Sequence, residues 1–379
     1  MNDKFILAAT CTFGLEGVLK KELQNLGYDK PKADNGKVYF EGTVRDVAMA
    51  NISLRTADRV LIQVGSFECL TFEELYERTK SLPWEKWIGE KDIFPVAKSI
   101  SVKSKLFSRS DCQRIVKKAV ADRLGKKYKT QWLEESGATV AIHLNILKDQ
   151  ASLFLDTSGS GLNKRGYRAK GNEAPIKETL AAAMVLLSGW RPELEFLDPF
   201  CGSGTIPIEA AMLALDIKPG MKRDFASQDW KGGFAEAFDE IRSELQHSGG
   251  ISKKSKLFIE GWDLDGGSIE TAKENARLAG VGESVVFRVK DARDIRELHG
   301  KGMIVSNPPY GERLMEKKEV EALYKDLGRA YKDAKDYSAH IITAHLEFER
   351  YFGRRATKNR KLYNGNVLTY FYQFYKAGK

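Results

Sequence analysis

"FLDPFCGSGTIPIEAA", Phe196 to Ala211, decides the fold of the second half of this chain. An apolar run ends at an acid, two glycines follow within six residues of it, and a helical pattern, "TIPIEAAMLAL", begins at once. Gly202 and Gly204 let the backbone turn tightly and come close to a ligand, because neither carries a Cβ. The dinucleotide fingerprint needs a third glycine where this chain has Pro207, and no lysine follows Gly204 as a P-loop requires. Proline is welcome in the first turn of a helix, so the strand–turn–helix reading survives both exclusions. What remains is a glycine turn with Thr205 behind it and a carboxylate, Asp198, in front. Such a carboxylate can pair with a cationic amine, which suits the amino-acid end of S-adenosylmethionine.

Outward from this turn, strand and helix alternate. "KLFIEGWDLD" reads as a strand, and "GSIETAKENARLAGV" as a helix closed by glycine. "SVVFRVKDA" and "GMIVSNPPY" are strands, "KKEVEALYKDLGRAYKDA" is a helix and "SAHIITA" a strand. The chain then makes two strands around an Asn364-Gly365 turn, a strong hairpin signal. The pattern predicts a Rossmann-like α/β domain, a mostly parallel seven-stranded sheet ending in an antiparallel pair. Ligands of such sheets bind at the carboxyl ends of the strands. There, Asp263 is placed to take ribose hydroxyls; Asp265 competes with it and also fits a helix N-cap. Asp291 can accept from an adenine amino group, with Ala292 offering its backbone.

"VSNPPYGERL", Val305 to Leu314, ends the fourth strand at the same edge. Adjacent prolines stop both helix and sheet ladder and hold an extended, rigid backbone. An exocyclic amine on a base is a poor nucleophile because its lone pair is delocalised into the ring. The Asn307 side-chain oxygen and the Pro308 carbonyl are two acceptors that would take both amine hydrogens and orient that lone pair, with Pro309 stiffening the clamp. Tyr310 can stack on a flipped base. Arg313 is read either as a helper in orienting the base or as a surface charge.

The first half reads α+β. "VRDVAMANISLRTADRVLIQV" gives a helix and then a strand from Arg59 to Val64, and "TFEELYERTKSL" opens with a capping box of Thr71 and Glu74. "FPVAKSISVKSKLF" is a strand. "RSDCQRIVKKAVADRLGKKY" is a helix with an apolar stripe of Ile115, Val116, Ala119, Val120 and Leu124. "ATVAIHLNILKDQASLFLDTSG" is a hairpin turning at Lys148-Asp149-Gln150.

The net charge of +9 is not spread evenly. Val96 to Lys170 holds 16 Lys+Arg against 6 Asp+Glu, whereas residues 1–95 hold 13 against 15 and residues 171–379 hold 32 against 31. A basic segment on a neutral chain points to a polyanion such as RNA. Lys103, Lys105, Arg109, Arg114, Lys117 and Lys118 are the contact candidates. "SGSGLNKRGYRAKGNEAP", 158–175, reads as an inter-domain linker, with Lys164, Arg165 and Arg168 as phosphate contacts and Tyr167 available for stacking.

Four cysteines form no CxxC pair and five histidines do not cluster, so no metal site and no disulfide framework is expected. No leader and no apolar run long enough for a bilayer is read, and a reducing cytoplasm fits. No oligomeric state is read from the sequence.

"LDPFCGSGT", "GWDLD" and "NPPYGERL" resemble class I S-adenosylmethionine-dependent methyltransferases acting on exocyclic amines. "LDTSGSGLNKRGYR" followed by "EAPIKETLAAA" resembles the junction of THUMP-domain RNA methyltransferases, and the similarity is greatest to the RlmL-type family. The resemblance implies a ferredoxin-like segment over 1–58, a THUMP RNA-binding domain over 59–157, the linker 158–175 and a methyltransferase domain over 176–379. It implies that Asp198, Pro199, Phe200, Gly202, Ser203, Gly204 and Thr205 cradle the methionine part of the cofactor and that Thr179 touches it. Asp263 or Asp265 would hold ribose and Asp291 with Ala292 adenine, and Asn307, Pro308, Pro309 and Tyr310 would hold the target amine. The implied reaction is methylation of guanine N2 in large-subunit ribosomal RNA. Transfer RNA as substrate, adenine-N6 methylation of DNA and a non-catalytic RNA-binding assembly factor are the alternatives. A polar insertion, Lys218 to Ser255, departs from the family spacing and is read as extra RNA surface or a loop.

Overall fold

In a computed structural model of the chain, residues 3–168, 176–247, 257–298, 300–310 and 317–375 are described. They divide into two compact units. One comprises Met1–Cys11, Leu19–Leu162 and Arg223–Ser248; the other comprises Thr12–Val18, Asn163–Lys222 and Gly249–Lys379.

The first unit begins with β1 (Phe5–Thr10), α1 (Glu16–Asn25), β2 (Lys32–Asp34), β3 (Lys37–Gly42) and α2 (Val44–Ser53). It continues through β4 (Arg59–Glu68), α3 (Phe72–Ser81), β5 (Val96–Val102), α4 (Arg109–Tyr128), β6 (Ile142–Leu147) and β7 (Gln150–Asp156). All seven strands form one sheet in the order β2-β3-β1-β4-β7-β6-β5. β4 pairs antiparallel with both β1 and β7, and so joins the N-terminal strands to those that follow. Leu7, Ile62, Leu155 and Ile142 lie opposite one another across four strands and are fully buried. This is the period-two pattern of a sheet with one face against a core. β4 extends beyond the expected Val64 to Glu68, with a bulge between Gln63 and Gly65. The capping box of α3 forms as expected, Thr71 Oγ1 accepting from the Glu74 N–H at 3.1 Å. The β6–β7 turn places Lys148 and Asp149 at φ of +51° and +64°, the left-handed pair a two-residue hairpin needs.

The second unit starts with α5 (Glu178–Ser188), β8 (Glu195–Asp198) and α6 (Thr205–Ala214). The chain then returns to the first unit. The insertion forms a short 3-10 turn and α7 (Phe234–His247), whose Phe234, Phe238 and Ile241 are buried. Arg45 of α2 pairs with Glu240 at 3.7 Å and also with Glu244, and the Trp230 indole N–H donates to the Thr139 carbonyl at 2.9 Å. Of the two readings of the insertion, extra RNA surface or a loop, the loop gives way to helix over Phe234–His247. An amphipathic helix must cover its apolar stripe, and α7 does so within the first unit.

Back in the second unit follow β9 (Ile259–Asp263), α8 (Gly266–Ala279), β10 (Val286–Val289), β11 (Gly302–Ser306) and α9 (Lys317–Asp333). β12 (Tyr337–Thr343), α10 (Phe348–Phe352), β13 (Lys358–Asn364) and β14 (Val367–Phe374) complete it. Its seven strands run in the order β10-β9-β8-β11-β12-β14-β13, parallel except for β14. The carboxyl ends of β8, β9, β10 and β11 are thus neighbours, and the residues singled out from the sequence follow those ends.

Candidate active site

β8 ends on Asp198, and the turn into α6 passes through Gly202 at φ +50° and Gly204 at φ +81°. The two glycines are needed for different reasons. A Cβ on Gly204 would sit 2.9 Å from Ala272 Cβ and 2.9 Å from Phe287 Cζ, so packing against α8 and β10 forbids it. A Cβ on Gly202 would meet nothing within 4 Å, so the turn borders open space on that side.

The Asp198 side chain points inward. It is 1% exposed and accepts from the Ser306 hydroxyl at 2.5 Å and the Phe200 N–H at 3.1 Å. Burial raises its carboxyl to about 7, the two donors opposing that rise. Asp198 therefore ties the end of β8 to the end of β11, one residue before Asn307. Ser306 is a residue the sequence reading missed; its only signal is its place between an apolar strand and the Asn-Pro-Pro.

Asp263 accepts the Gly202 N–H at 3.0 Å through one oxygen and the Asp265 N–H at 3.0 Å through the other. An ionised carboxylate has about four acceptor sites, so it can still take hydroxyls. Asp265 spends its oxygens on the N–H groups of Gly267 and Ser268 at 3.3 and 2.8 Å. It is the N-cap of α8, and of the two acids Asp263 is the better placed for ribose. Asp291 accepts the Arg293 N–H at 2.8 Å and pairs with the Arg293 guanidinium at 2.5 Å, which holds its carboxyl below the usual range. Ala292 beside it is buried, as is Thr179 in the first turn of α5. Two apolar residues that the sequence reading passed over stand at this rim: Leu264 is 68% and Val289 61% exposed. Open space at Gly202, a half-buried acid with spare lone pairs and exposed apolar side chains fit a cofactor that is part amino acid, part ribose and part flat base.

Beyond β11, the Tyr310 hydroxyl donates to the Asn307 side-chain oxygen, using one of its two lone pairs. The Pro309 carbonyl accepts from the Tyr324 hydroxyl at 2.7 Å, and that hydroxyl shares a second bond with Thr343 Oγ1 at 2.9 Å. Tyr324 is fully buried on α9, and burial pushes its phenol above the ordinary value. It thus anchors the proline turn from below. Arg313 and the rest of "GERL" lie outside the described residues.

Family models match three successive stretches: an RlmL ferredoxin-like domain over residues 6–61, a THUMP domain over 69–156 and an RMKL-like methyltransferase domain over 165–372. The chain belongs to the RMKL-like methyltransferase family. A Bacillus subtilis protein named "Putative RNA methyltransferase YpsC" is 46% identical over 98% of this chain and 96% of its own length. The ribosomal RNA large subunit methyltransferase K/L of Psychromonas ingrahamii is 36% identical over 93% of this chain, which spans about half (48%) of that longer protein. The solved structure of SMU.472, complexed with SAH, is 42% identical over the full length of both chains with a TM-score of 0.92. S-adenosylmethionine is accordingly the methyl donor of this RMKL-like methyltransferase.

Several cations expected to contact RNA do other work. Arg165 is buried and pairs with Glu209 on α6 at 3.3 Å, the two side chains being 2% and 0% exposed. Tyr167 is buried too, its hydroxyl donating to the same Glu209 at 3.2 Å. Phosphate contact by Arg165 and stacking by Tyr167 are therefore corrected, since neither reaches solvent. Arg168 donates to the Ile176 carbonyl at 2.6 Å and to Thr205 Oγ1 at 3.2 Å, and pairs with Glu178 at 2.9 Å. It braces the starts of α5 and α6. Lys117 pairs with Glu135 at 2.7 Å and lies 3.4 Å from the centroid of the Phe94 ring, so it holds the fold. Arg114 pairs with Asp111 in the first turn of α4 but its side chain stays 79% exposed, so the pair does not take it from a polyanion. Lys103, Lys105, Arg109, Lys118 and Lys164 are exposed.

The four cysteines are buried free thiols, and among the described residues no cluster of His, Cys, Asp and Glu could hold a metal. No helix of the described residues is long and apolar enough to cross a membrane.

Proposed function

We propose that this methyltransferase acts on RNA and transfers a methyl group to the exocyclic N2 amine of a guanine, in large-subunit ribosomal RNA. The observation that carries this reading is the Asn307–Tyr310 turn, held rigidly after β11 by Ser306–Asp198 on one side and Tyr324–Pro309 on the other. The bound cofactor supplies a sulfonium methyl, already a good electrophile. The chain's own residues orient the acceptor. The Asn307 oxygen and the Pro308 carbonyl take the two amine hydrogens, so the nitrogen lone pair leaves the plane of the ring and faces the methyl. As the N–C bond forms and the S–C bond breaks, the nitrogen becomes cationic and far more acidic, and its proton passes to water without a strong base. Tyr310 must release Asn307 to stack on the entering base, which is a movement of one side chain. RNA as substrate is supported by the THUMP match and the basic segment; the ribosomal target is supported by the relation to the methyltransferase K/L.

Purified protein with labelled cofactor and rRNA stripped from a deletion strain tests the proposal, followed by mass mapping of methylated nucleosides in rRNA and tRNA. N2-methylguanosine restored at one rRNA position supports it. Label in tRNA alone, or on adenine, overturns it. Asn307→Ala is expected to abolish transfer while leaving cofactor affinity within about twofold, since the side chain acts on the acceptor.

A further inference from the structure

With Tyr167 buried, the ring that RNA would meet lies elsewhere. Phe107 is 82% exposed, on the loop between β5 and α4. The loop is not free to fold the ring away. The Lys105 N–H donates to the Asp149 carboxylate at 2.6 Å, the Asp149 N–H to Ser104 Oγ at 3.0 Å and the Lys148 N–H to the Val102 carbonyl at 3.1 Å. The Ser101 hydroxyl donates to the Leu106 carbonyl at 2.6 Å, and Leu106 itself is buried beside the ring in sequence. The β6–β7 turn thus pins the loop, Leu106 fills the core position, and Phe107 is left presented to solvent. Exposed cations lie close to it in the chain, Lys103, Lys105 and Arg109, and Lys148 is exposed on the β6–β7 turn that pins the loop. An exposed ring on a rigid loop invites either an apolar protein surface or a nucleobase. The charge decides, because cations beside an aromatic ring match a base flanked by phosphates and cost desolvation against an apolar partner.

We propose that Phe107 is a stacking platform for an unpaired base of the RNA substrate, with Lys103, Lys105 and Arg109 holding the adjoining phosphates. This rests on the RNA reading above and adds that the first unit grips single-stranded rather than duplex RNA at this loop. Stacking on an aromatic ring is tolerant of sequence, so the contact fixes the strand and leaves base selection to the Asn307 clamp.

The test measures binding of the full-length protein to a labelled short oligoadenylate and to a blunt RNA duplex, over a salt series. Phe107→Ala is expected to weaken oligoadenylate binding by roughly 5- to 150-fold, the range found for loss of one base stack. It should leave duplex binding and the dependence of log K on log salt unchanged. Lys105→Ala should instead lower that salt slope by about 0.7. Phe107→Trp should retain affinity, and its fluorescence should be quenched on binding. The ring is exposed, so an unchanged melting temperature for each variant is expected and is checked. Wild-type protein that binds neither RNA would overturn the RNA reading itself. Wild-type binding with an unaffected Phe107→Ala, or a Phe107→Leu that binds as well as wild type, would overturn stacking alone.

Discussion

Alanine at Gly202 and at Gly204 should damage the protein in opposite ways, though only one residue separates them. Both positions have positive φ, +50° and +81°, which costs a residue with a Cβ about 1–2 kcal/mol. At Gly204 the new methyl would also lie 2.9 Å from Ala272 Cβ and from Phe287 Cζ. Relieving such an overlap in a packed core adds about 1–3 kcal/mol, so Gly204→Ala should lose about 2–5 kcal/mol in all. For a domain of this size that lowers the melting temperature by about 4–20 °C. Gly202→Ala meets nothing within 4 Å and should lose only the backbone term, about 1–2 kcal/mol. Its methyl, however, fills the open side of the turn. If the cofactor approaches the backbone there, overlap of about 1–3 kcal/mol weakens S-adenosylhomocysteine binding by roughly 5- to 150-fold. Thermal unfolding and titration calorimetry on the two variants read both quantities. A Gly202→Ala protein that binds the product with wild-type affinity would refute the approach of cofactor to this turn. A Gly204→Ala protein as stable as wild type would refute the packing argument.

Three other outcomes are expected. Asp198 stays protonated in the folded state up to about 7 but ionises in the unfolded chain near its ordinary value of 3.8. Stability should therefore fall as pH rises through that window, by about 1.4 kcal/mol per pH unit from this group. Asp198→Asn should remove that contribution, and denaturant melts across the window check it; an unchanged slope would count against the burial. Glu209→Ala removes the carboxylate that faces the buried Arg165 guanidinium and should cost about 3–5 kcal/mol, whereas replacing the pair together by Met and Leu should cost much less. Tyr324→Phe removes the hydroxyl that holds the Pro309 carbonyl. It should slow methyl transfer by about fivefold, for a hydrogen bond of about 1 kcal/mol, with product affinity intact.

Much of this molecule can be read from the chain alone, wherever a local pattern carries the physics. The stripe Ile115, Val116, Ala119, Val120 and Leu124 predicts α4, and the core buries all of it but Ile115, which is half-buried, with Cys112 in addition. Thr71 and Glu74 predict the start of α3 because a cap is a contact across three residues. The parallel character of the second sheet follows from alternation, since parallel neighbours need helical crossovers; its strand order, which brings the ends of β8, β9, β10 and β11 together, is seen only in the folded chain. Tertiary structure alone decided which polar groups face water. Arg165 and Tyr167 sit in a glycine-rich, basic stretch that looks solvated, yet Glu209, more than forty residues on, draws both inside. Asp198 is read from the sequence as a ligand acid, and only the fold shows that it is also bonded to Ser306, over a hundred residues away. The insertion looks like loop until α7 finds α2. Phe107 closes a stretch that reads as strand, yet β5 ends at Val102, Leu106 takes the buried place and Phe107 is left exposed. Periodicity and capping are local and so are written in sequence, whereas the burial of a charge or the exposure of a ring depends on partners that only the folded chain brings near.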